Sequence, residues 1–159
     1  MDELHQAYLS IGSNITPKVH LPRAIQLLKG YGKVKAISSV WESHAVGSDG
    51  PNFLNACVLF LSHLPPYELK EGIIRPIEAA LGRVRYADKN APRTIDLDIV
   101  LYDDQPLNVD FWDYAFVVVP LAELIPKFRH PLSGEKLSRL SGQLQGQVWI
   151  VPRGDVVIS

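Results

Sequence analysis

Cysteine is almost absent from this sequence: its 159 residues hold one, Cys57. An intrachain disulfide framework is thereby excluded, which fits a reducing compartment. Cys57 lies in the apolar run Ala-Cys-Val-Leu-Phe-Leu and reads as a core thiol rather than a nucleophile. Also missing is any apolar run long enough to span a bilayer, and the acidic opening Met1-Asp2-Glu3 is unlike a secretory leader. The expectation is a cytoplasmic protein with no membrane partner. An excess of charge is missing too. Sixteen Lys and Arg face seventeen Asp and Glu, so no global field draws the chain to nucleic acid. Any anion-binding charge must be local. Repeats, low-complexity tracts and linkers are absent, so residues 1–159 are expected to form one domain, with a monomer favoured.

What is present concentrates between Leu81 and Tyr102. Residues 92–102 read Pro-Arg-Thr-Ile-Asp-Leu-Asp-Ile-Val-Leu-Tyr and alternate as a strand does. Ile95, Leu97, Ile99 and Leu101 share one face; Asp96 and Asp98 share the other. Same-face neighbours on a strand lie roughly 6.5–7 Å apart. Two carboxylates that close repel, and a hard divalent cation is a natural neutraliser, since Mg²⁺ takes one or two carboxylates plus substrate phosphates. Arg83, Arg85, Lys89 and Arg93 stand just upstream, a cluster suited to anionic oxygens. Either feature alone is weak, because an Asp-x-Asp pair commonly marks a solvated strand face. Together, beside a wholly apolar opposite face, they point to phosphoryl-type transfer.

The rest of the chain supplies the scaffold. Residues 7–11 form a short strand that ends in Gly12-Ser13-Asn14, a turn sequence. Thr16-Pro17 is expected to cap a helix over 17–29. Strands follow over 34–43 and 53–61, the second apolar except for Asn55. That amide needs partners or a ligand. A second helix should run to Leu81, kinked or split near Arg75 by Pro76. After the aspartate strand come an aromatic patch at 111–115, a short helix over 120–125, a loop over 128–135 and a helical turn over 137–144. Residues 148–151 and 156–158 flank a turn and read as a hairpin. The order βαββαβ is the signature of an α+β ferredoxin-like sandwich, here with an added C-terminal β-hairpin.

Several segments together resemble the 6-hydroxymethyl-7,8-dihydropterin pyrophosphokinase family of folate biosynthesis. They are Tyr8-Leu-Ser-Ile-Gly-Ser-Asn14, Ser38-Ser-Val-Trp-Glu-Ser43, Phe53 with Asn55, Glu78-Ala-Ala-Leu-Gly-Arg-Val-Arg85, and Pro92-Arg-Thr-Ile-Asp-Leu-Asp98. Phe116 with Pro120-Leu121 is a further anchor. The resemblance covers the first two-thirds of the chain. It implies transfer of diphosphate from ATP to the pterin hydroxymethyl group, with AMP released. It implies two Mg²⁺ ions on Asp96 and Asp98, and Arg83 and Arg93 as catalytic arginines on the ATP phosphates. Ser43, Val46, Phe53, Asn55 and Phe116 would bind the pterin; Arg75, Glu78, Arg85 and Ile99 would lie at the ATP.

The sequence also departs from that family. Residues 103–115 contain neither the histidine nor the arginine usual before the position of Phe116, and Asn90 stands where a tryptophan is frequent. Arg129-His130-Pro131 supplies those letters on the wrong side of Phe116 and reads as ordinary loop. These departures raise a second reading, a relative that binds pterin or nucleotide with weak or no turnover. A ferredoxin-like scaffold with unused carboxylates is a third.

Overall fold

The computed structural model describes residues 3–47, 49–84 and 91–159. Seven strands form one sheet: β1 (His5–Ser13), β2 (Lys33–Ile37), β3 (Trp41–Ser43), β4 (Phe53–Ser62), β5 (Asp96–Tyr102), β6 (Gln105–Pro106) and β7 (Ile150–Pro152). Their order is β6-β5-β1-β4-β3-β7, with β2 on β4 beside β3. Every strand pairing among the described residues is antiparallel. The helices are α1 (Pro17–Tyr31), α2 (Pro66–Leu69), α3 (Arg75–Ala80), α4 (Ala115–Leu124) and α5 (Leu137–Gln147). The chain is therefore an α+β protein built on an antiparallel sheet.

Alternation along the central strands sorts side chains into two cores. Ala7, Leu9 and Ile11 of β1 and Leu54, Ala56, Val58 and Phe60 of β4 pack with Leu21, Ile25 and Leu28 of α1 and with Ile77 of α3. Tyr8, Cys57, Leu59 and Leu61 face the other way, against Val117, Val118 and Leu121 of α4 and Leu137 of α5. Both faces of β4 are covered, which is why it reads as nearly unbroken apolar sequence. Burial pushes the Cys57 thiol up, out of the reactive range.

Several local expectations change in the folded chain. Thr16 precedes α1 in the left-handed region at φ 46°, and its side chain makes no capping bond; its carbonyl instead takes the N–H groups of Val19 and His20. The expected strand 34–43 is two strands. At the break the Ser38 hydroxyl takes the Cys57 N–H, while the Glu123 carboxylate takes the Ser39 N–H and the Trp41 indole. The helical run is divided just before Arg75, as expected, but the division is a π-type turn rather than a break. The five residues Lys70–Ile74 widen into a π-type turn, and the Arg75 N–H reaches back to the Lys70 carbonyl. Pro76 then falls in the first turn of α3, where a missing N–H is harmless. One helix spans Ala115–Leu124 in place of an apolar stretch and a shorter helix; seven of its ten residues are buried, and packing overrides the low helix propensity of Val117, Val118 and Val119. The C-terminal hairpin does not form. Ile150–Pro152 pairs with β3, and residues 156–158 carry no strand, Ile158 being buried in the main core.

Candidate active site

The face of the sheet that bears α4 is only partly covered. Beyond the first turn of α4, the ends of β1, β4 and β5 floor a cavity of about 530 Å³. The β-register fixes that floor. Gly12 lies between Asn55 on β4 and Asp96 on β5, and Ser10 lies between Cys57 and Asp98. The two aspartates project together into the cavity while Leu97 and Ile99 pack into the core behind them.

At this end the charges are dense. Arg83 Nη1 donates to Asp96 Oδ1 at 2.8 Å, to the Ile95 carbonyl at 2.8 Å and to Glu78 Oε2 at 3.2 Å. Arg93 Nη1 donates to Asp96 Oδ2 at 3.3 Å. Glu78 is buried; it also receives the Leu97 N–H and lies 3.6 Å from Arg75 Nη1. Burial raises its carboxyl above the usual range, with Arg83 pulling the other way. Asp98 differs from Asp96: among the described residues no donor meets its carboxylate. Burial first, then the charges of Asp96 and Glu78, push its carboxyl up to about 7. A cation beside it would restore the charged form.

The donor set suits a hard cation of modest protein demand. Asp96 and Asp98 offer oxygen only, and no cluster of three metal-ligating side chains exists among the described residues. Most ligands would have to come from water and a polyanion, which is how Mg²⁺ is commonly held.

The other end of the cavity is rich in aromatic side chains, Phe53, Phe111, Tyr114 and Phe116, with the polar groups of Asn55, Ser43 and His44 beside them. Asn55 is buried, and its Nδ2 donates to Ser43 Oγ at 2.8 Å and to the Trp41 carbonyl at 3.3 Å. Gly12 makes room for it: a Cβ there would stand 3.1 Å from Asn55 Oδ1 and 3.6 Å from Phe53. Arg93 sits 6.0 Å over the Phe53 ring. Phe116, in the first turn of α4, stacks on Tyr114 at 5.1 Å. Aromatic faces beside a directed amide suit a planar heterocycle with polar edges.

Nine residues expected at the site line this one cavity: Ser43, Val46, Phe53, Asn55, Arg83, Arg93, Asp96, Asp98 and Phe116. Glu78 and Arg75 stand behind Arg83 as its ion-pair network. The Ile99 side chain belongs to the core, and Arg85 lies outside the described residues. Sequence reasoning missed Ser10, Gly12, His44, Phe111 and Tyr114, which also line the cavity. Ser10 and Gly12 alternate with Leu9 and Ile11, so the period-two pattern carried their signal. His130, taken as part of a plain loop, is buried beneath the wall. Its Nδ1 accepts the N–H groups of Leu132 and Ser133, so Nε2 carries the proton and donates to the Trp112 carbonyl at 3.0 Å. It thereby ties the loop to the 3₁₀ turn Val109–Asp113, from which Phe111 reaches the cavity.

This geometry agrees with what the chain is similar to. The model of the 7,8-dihydro-6-hydroxymethylpterin-pyrophosphokinase family matches residues 8–126. The chain is 34% identical to a 2-amino-4-hydroxy-6-hydroxymethyldihydropteridine pyrophosphokinase of Synechocystis sp., covering 96% of this chain and 83% of that protein. It is 33% identical to the protein of the same name from Aquifex aeolicus, over 79% of this chain and 83% of the relative. A crystal structure of Plasmodium falciparum HPPK-DHPS shares the fold, with a TM-score of 0.70 at 13% identity over 92% of this chain; this chain spans 45% of that one. On the family match and the two relatives, the chain belongs to the 7,8-dihydro-6-hydroxymethylpterin-pyrophosphokinase family.

Proposed function

We propose that this protein transfers diphosphate from ATP to 6-hydroxymethyl-7,8-dihydropterin, giving AMP and the pterin diphosphate, a step of folate biosynthesis (EC 2.7.6.3). The observation that carries the reading is the two-ended cavity: carboxylates and guanidiniums at one end, a buried amide among aromatic rings at the other, with Gly12 between them.

The residues divide by chemistry. Asn55 directs its polar edge at the pterin while Phe53 and Phe116 supply ring faces, and Ser43 and Val46 complete the wall. Ser43 accepts from Asn55, and the Trp41 carbonyl, which can only accept, fixes the amide's orientation. Asp96 and Asp98 would hold Mg²⁺, two ions being expected, and such ions neutralise the charge of a triphosphate. Arg83 and Arg93 are the guanidiniums available to the phosphates and to the charge that develops as the diphosphate leaves AMP. Glu78, with Arg75 behind it, holds Arg83 at the cavity edge. Arg85 completes the proposed nucleotide side; Ile99, its side chain packed in the core, would meet the nucleotide only through its backbone. Because the hydroxymethyl oxygen and the β-phosphorus must meet in line, holding both substrates in one cavity is most of what such a catalyst has to do.

The order β5-β1-β4-β2/β3, with α1 and α3 on one face, supports a ferredoxin-like reading of the core, to which α4, α5 and β7 are added. We take residues 1–159 as one pyrophosphokinase domain, monomeric and cytoplasmic; no helix among the described residues is long and apolar enough to cross a membrane.

The test is an assay of AMP released from ATP. AMP should appear only when Mg²⁺ and 6-hydroxymethyl-7,8-dihydropterin are both present. AMP release that ignores the pterin, or no release with both, overturns the reading.

A further inference from the structure

The C-terminal segment packs against a residue of the cavity rim, although it lies beyond residue 126, where the family match ends. β7 pairs with β3 so that Ile150 stands opposite Ser43. His44 follows β3 and Trp149 precedes β7. Their rings stack, with centroids 4.4 Å apart and planes 19° from parallel. His44 lines the cavity; Trp149 lies outside it and is 44% exposed.

A second set of contacts fixes the same imidazole. His44 Nδ1 lies 3.0 Å from Asn52 Oδ1. Asn52 donates its Nδ2 to Glu42 Oε2 at 2.9 Å, and a carboxylate only accepts, so the amide oxygen is the end turned to His44. The Nδ1 of the neutral ring therefore carries the proton, and Nε2 is left as its acceptor. Glu42 is itself gripped by Arg153 at 2.7 Å, from the residue after β7. Two contacts from the C-terminal segment thus converge on the rim residue next to Ser43, one through stacking and one through the Arg153–Glu42–Asn52 chain.

We propose that Trp149 is a positioning residue of the substrate cavity, holding the His44 ring at the rim of its heterocycle-binding end. The proposal rests on the reading of the Asn55 end as the pterin site. It makes the C-terminal segment a determinant of substrate affinity. Trp149 is nearly half exposed, sits at the edge of the sheet and belongs neither to the two cores nor to the smaller cluster of Ala115, Val119 and Ile150, so its removal leaves them in place.

The experiment measures binding of 6-hydroxymethyl-7,8-dihydropterin by equilibrium dialysis, and steady-state constants for both substrates, on the full chain. Trp149→Ala and His44→Ala should each raise the pterin Kd and KM roughly three- to tenfold, the worth of an aromatic pair. For Trp149→Ala the KM for ATP and kcat should not move, and Trp149→Phe should return the pterin constants towards wild type. Asn55→Ala serves as the control for the pterin site. If it abolishes pterin binding while Trp149→Ala and His44→Ala bind as wild type, the proposal is overturned and the pterin site stands. If Asn55→Ala binds pterin normally, the site reading fails and the proposal fails with it. Equal rises in both KM values with a lowered melting temperature would make Trp149 a general edge support and overturn the positioning role. Should Trp149→Ala not fold, His44→Ala decides by the same criteria.

Discussion

Arg83 and Asp96 are bound to each other across the cavity edge, Nη1 to Oδ1 at 2.8 Å, and Arg93 takes the second oxygen of the same carboxylate at 3.3 Å. Asp96 is thus held by two guanidiniums, whereas Asp98 beside it meets no donor among the described residues. A cation that arrives alone must compete with both arginines for Asp96. A triphosphate that arrives with the cation offers those arginines anionic oxygens in exchange. Free Mg²⁺ should therefore bind weakly, and binding should strengthen at least tenfold when a non-hydrolysable ATP analogue is present. Calorimetry with Mg²⁺ alone, then with the analogue, reads this directly. Equal affinity in the two titrations would show that the arginines do not guard the carboxylate.

Charge removal at Asp98 should separate catalysis from folding. Asp98→Asn keeps the shape and removes from a half-buried position a charge that burial and the neighbouring Asp96 and Glu78 already disfavour. Stability should stay level or rise, since burying an unpaired charge is costly. AMP formation should fall by about two to three orders of magnitude, the cost of losing one strong electrostatic contact in a phosphoryl-type site. Thermal denaturation and the AMP assay on the same preparation check both halves. A variant as active as wild type would remove Asp98 from the metal set.

Gly12 sets the spacing between the two ends of the cavity. A methyl group at this position meets Asn55 Oδ1 at 3.1 Å, and the amide must give by a few tenths of an ångström. Asn55 is tied to Ser43 and Trp41, so it moves only by loosening those bonds. Gly12→Ala should raise the KM for the pterin about three- to tenfold, the worth of a weakened hydrogen bond, and leave the KM for ATP within error. A uniform loss of kcat with no change in KM would mean that the methyl disturbs the aspartates instead.

The aspartate strand was legible because alternation fixes which residues share a face, and Asp96, Asp98, Leu97 and Ile99 fall where that rule puts them; Leu101 does not, because a register shift against β1 turns it into the second core. Asn55 stood out as the one polar residue of an apolar strand, whereas Phe53 and Phe116 became candidates only through resemblance to a known family, since two rings carry no spacing of their own. Where reading failed, a contact distant in sequence had decided the outcome. Residues 156–158 have strand-like composition, yet β7 finds an edge on β3 over a hundred residues away, and Ile158 is drawn into the core. Val117 to Val119 favour strand by local propensity, but the uncovered face of the sheet takes them as a helix. His130 looked like loop because nothing local reveals that its ring meets the Trp112 carbonyl.

His130 gives a prediction about that hidden clasp. Replacing it with Phe keeps a ring against Trp112 but deletes one donor and one acceptor that serve three backbone groups. Leaving such groups unmet costs about 2–4 kcal/mol together. Chemical denaturation of His130→Phe should show that loss. The pterin KM should rise as well, because Phe111 hangs from the tethered turn. A change below about 0.5 kcal/mol, the range of ordinary surface substitutions, would show that the loop holds the wall without the imidazole.

The ion cluster at the C-terminal edge predicts how stability responds to acid. A hydrogen bond from Asn52, then one from Arg153, pulls the Glu42 carboxyl below its ordinary 4.5; Arg153 pulls Asp155 from 3.8 to about 2. A carboxyl with a lowered pKa in the fold binds fewer protons there than in the unfolded chain, so stability rises with pH through that window. The contribution is complete above the ordinary carboxylate range and fades as pH falls from about 4.5 to about 2. Arg153→Met removes the shared partner, so it should melt below wild type at pH 7, and the gap should close as the buffer approaches pH 2. The Arg153–Asp155 pair is exposed and the Arg153–Glu42 pair only part-buried, so added salt at pH 7 should narrow the same gap mainly through Asp155. A gap that stays constant from pH 7 to pH 2 would assign the effect of Arg153 to packing of its alkyl chain, and the pairing with Glu42 and Asp155 would then contribute nothing measurable to holding β7 against β3.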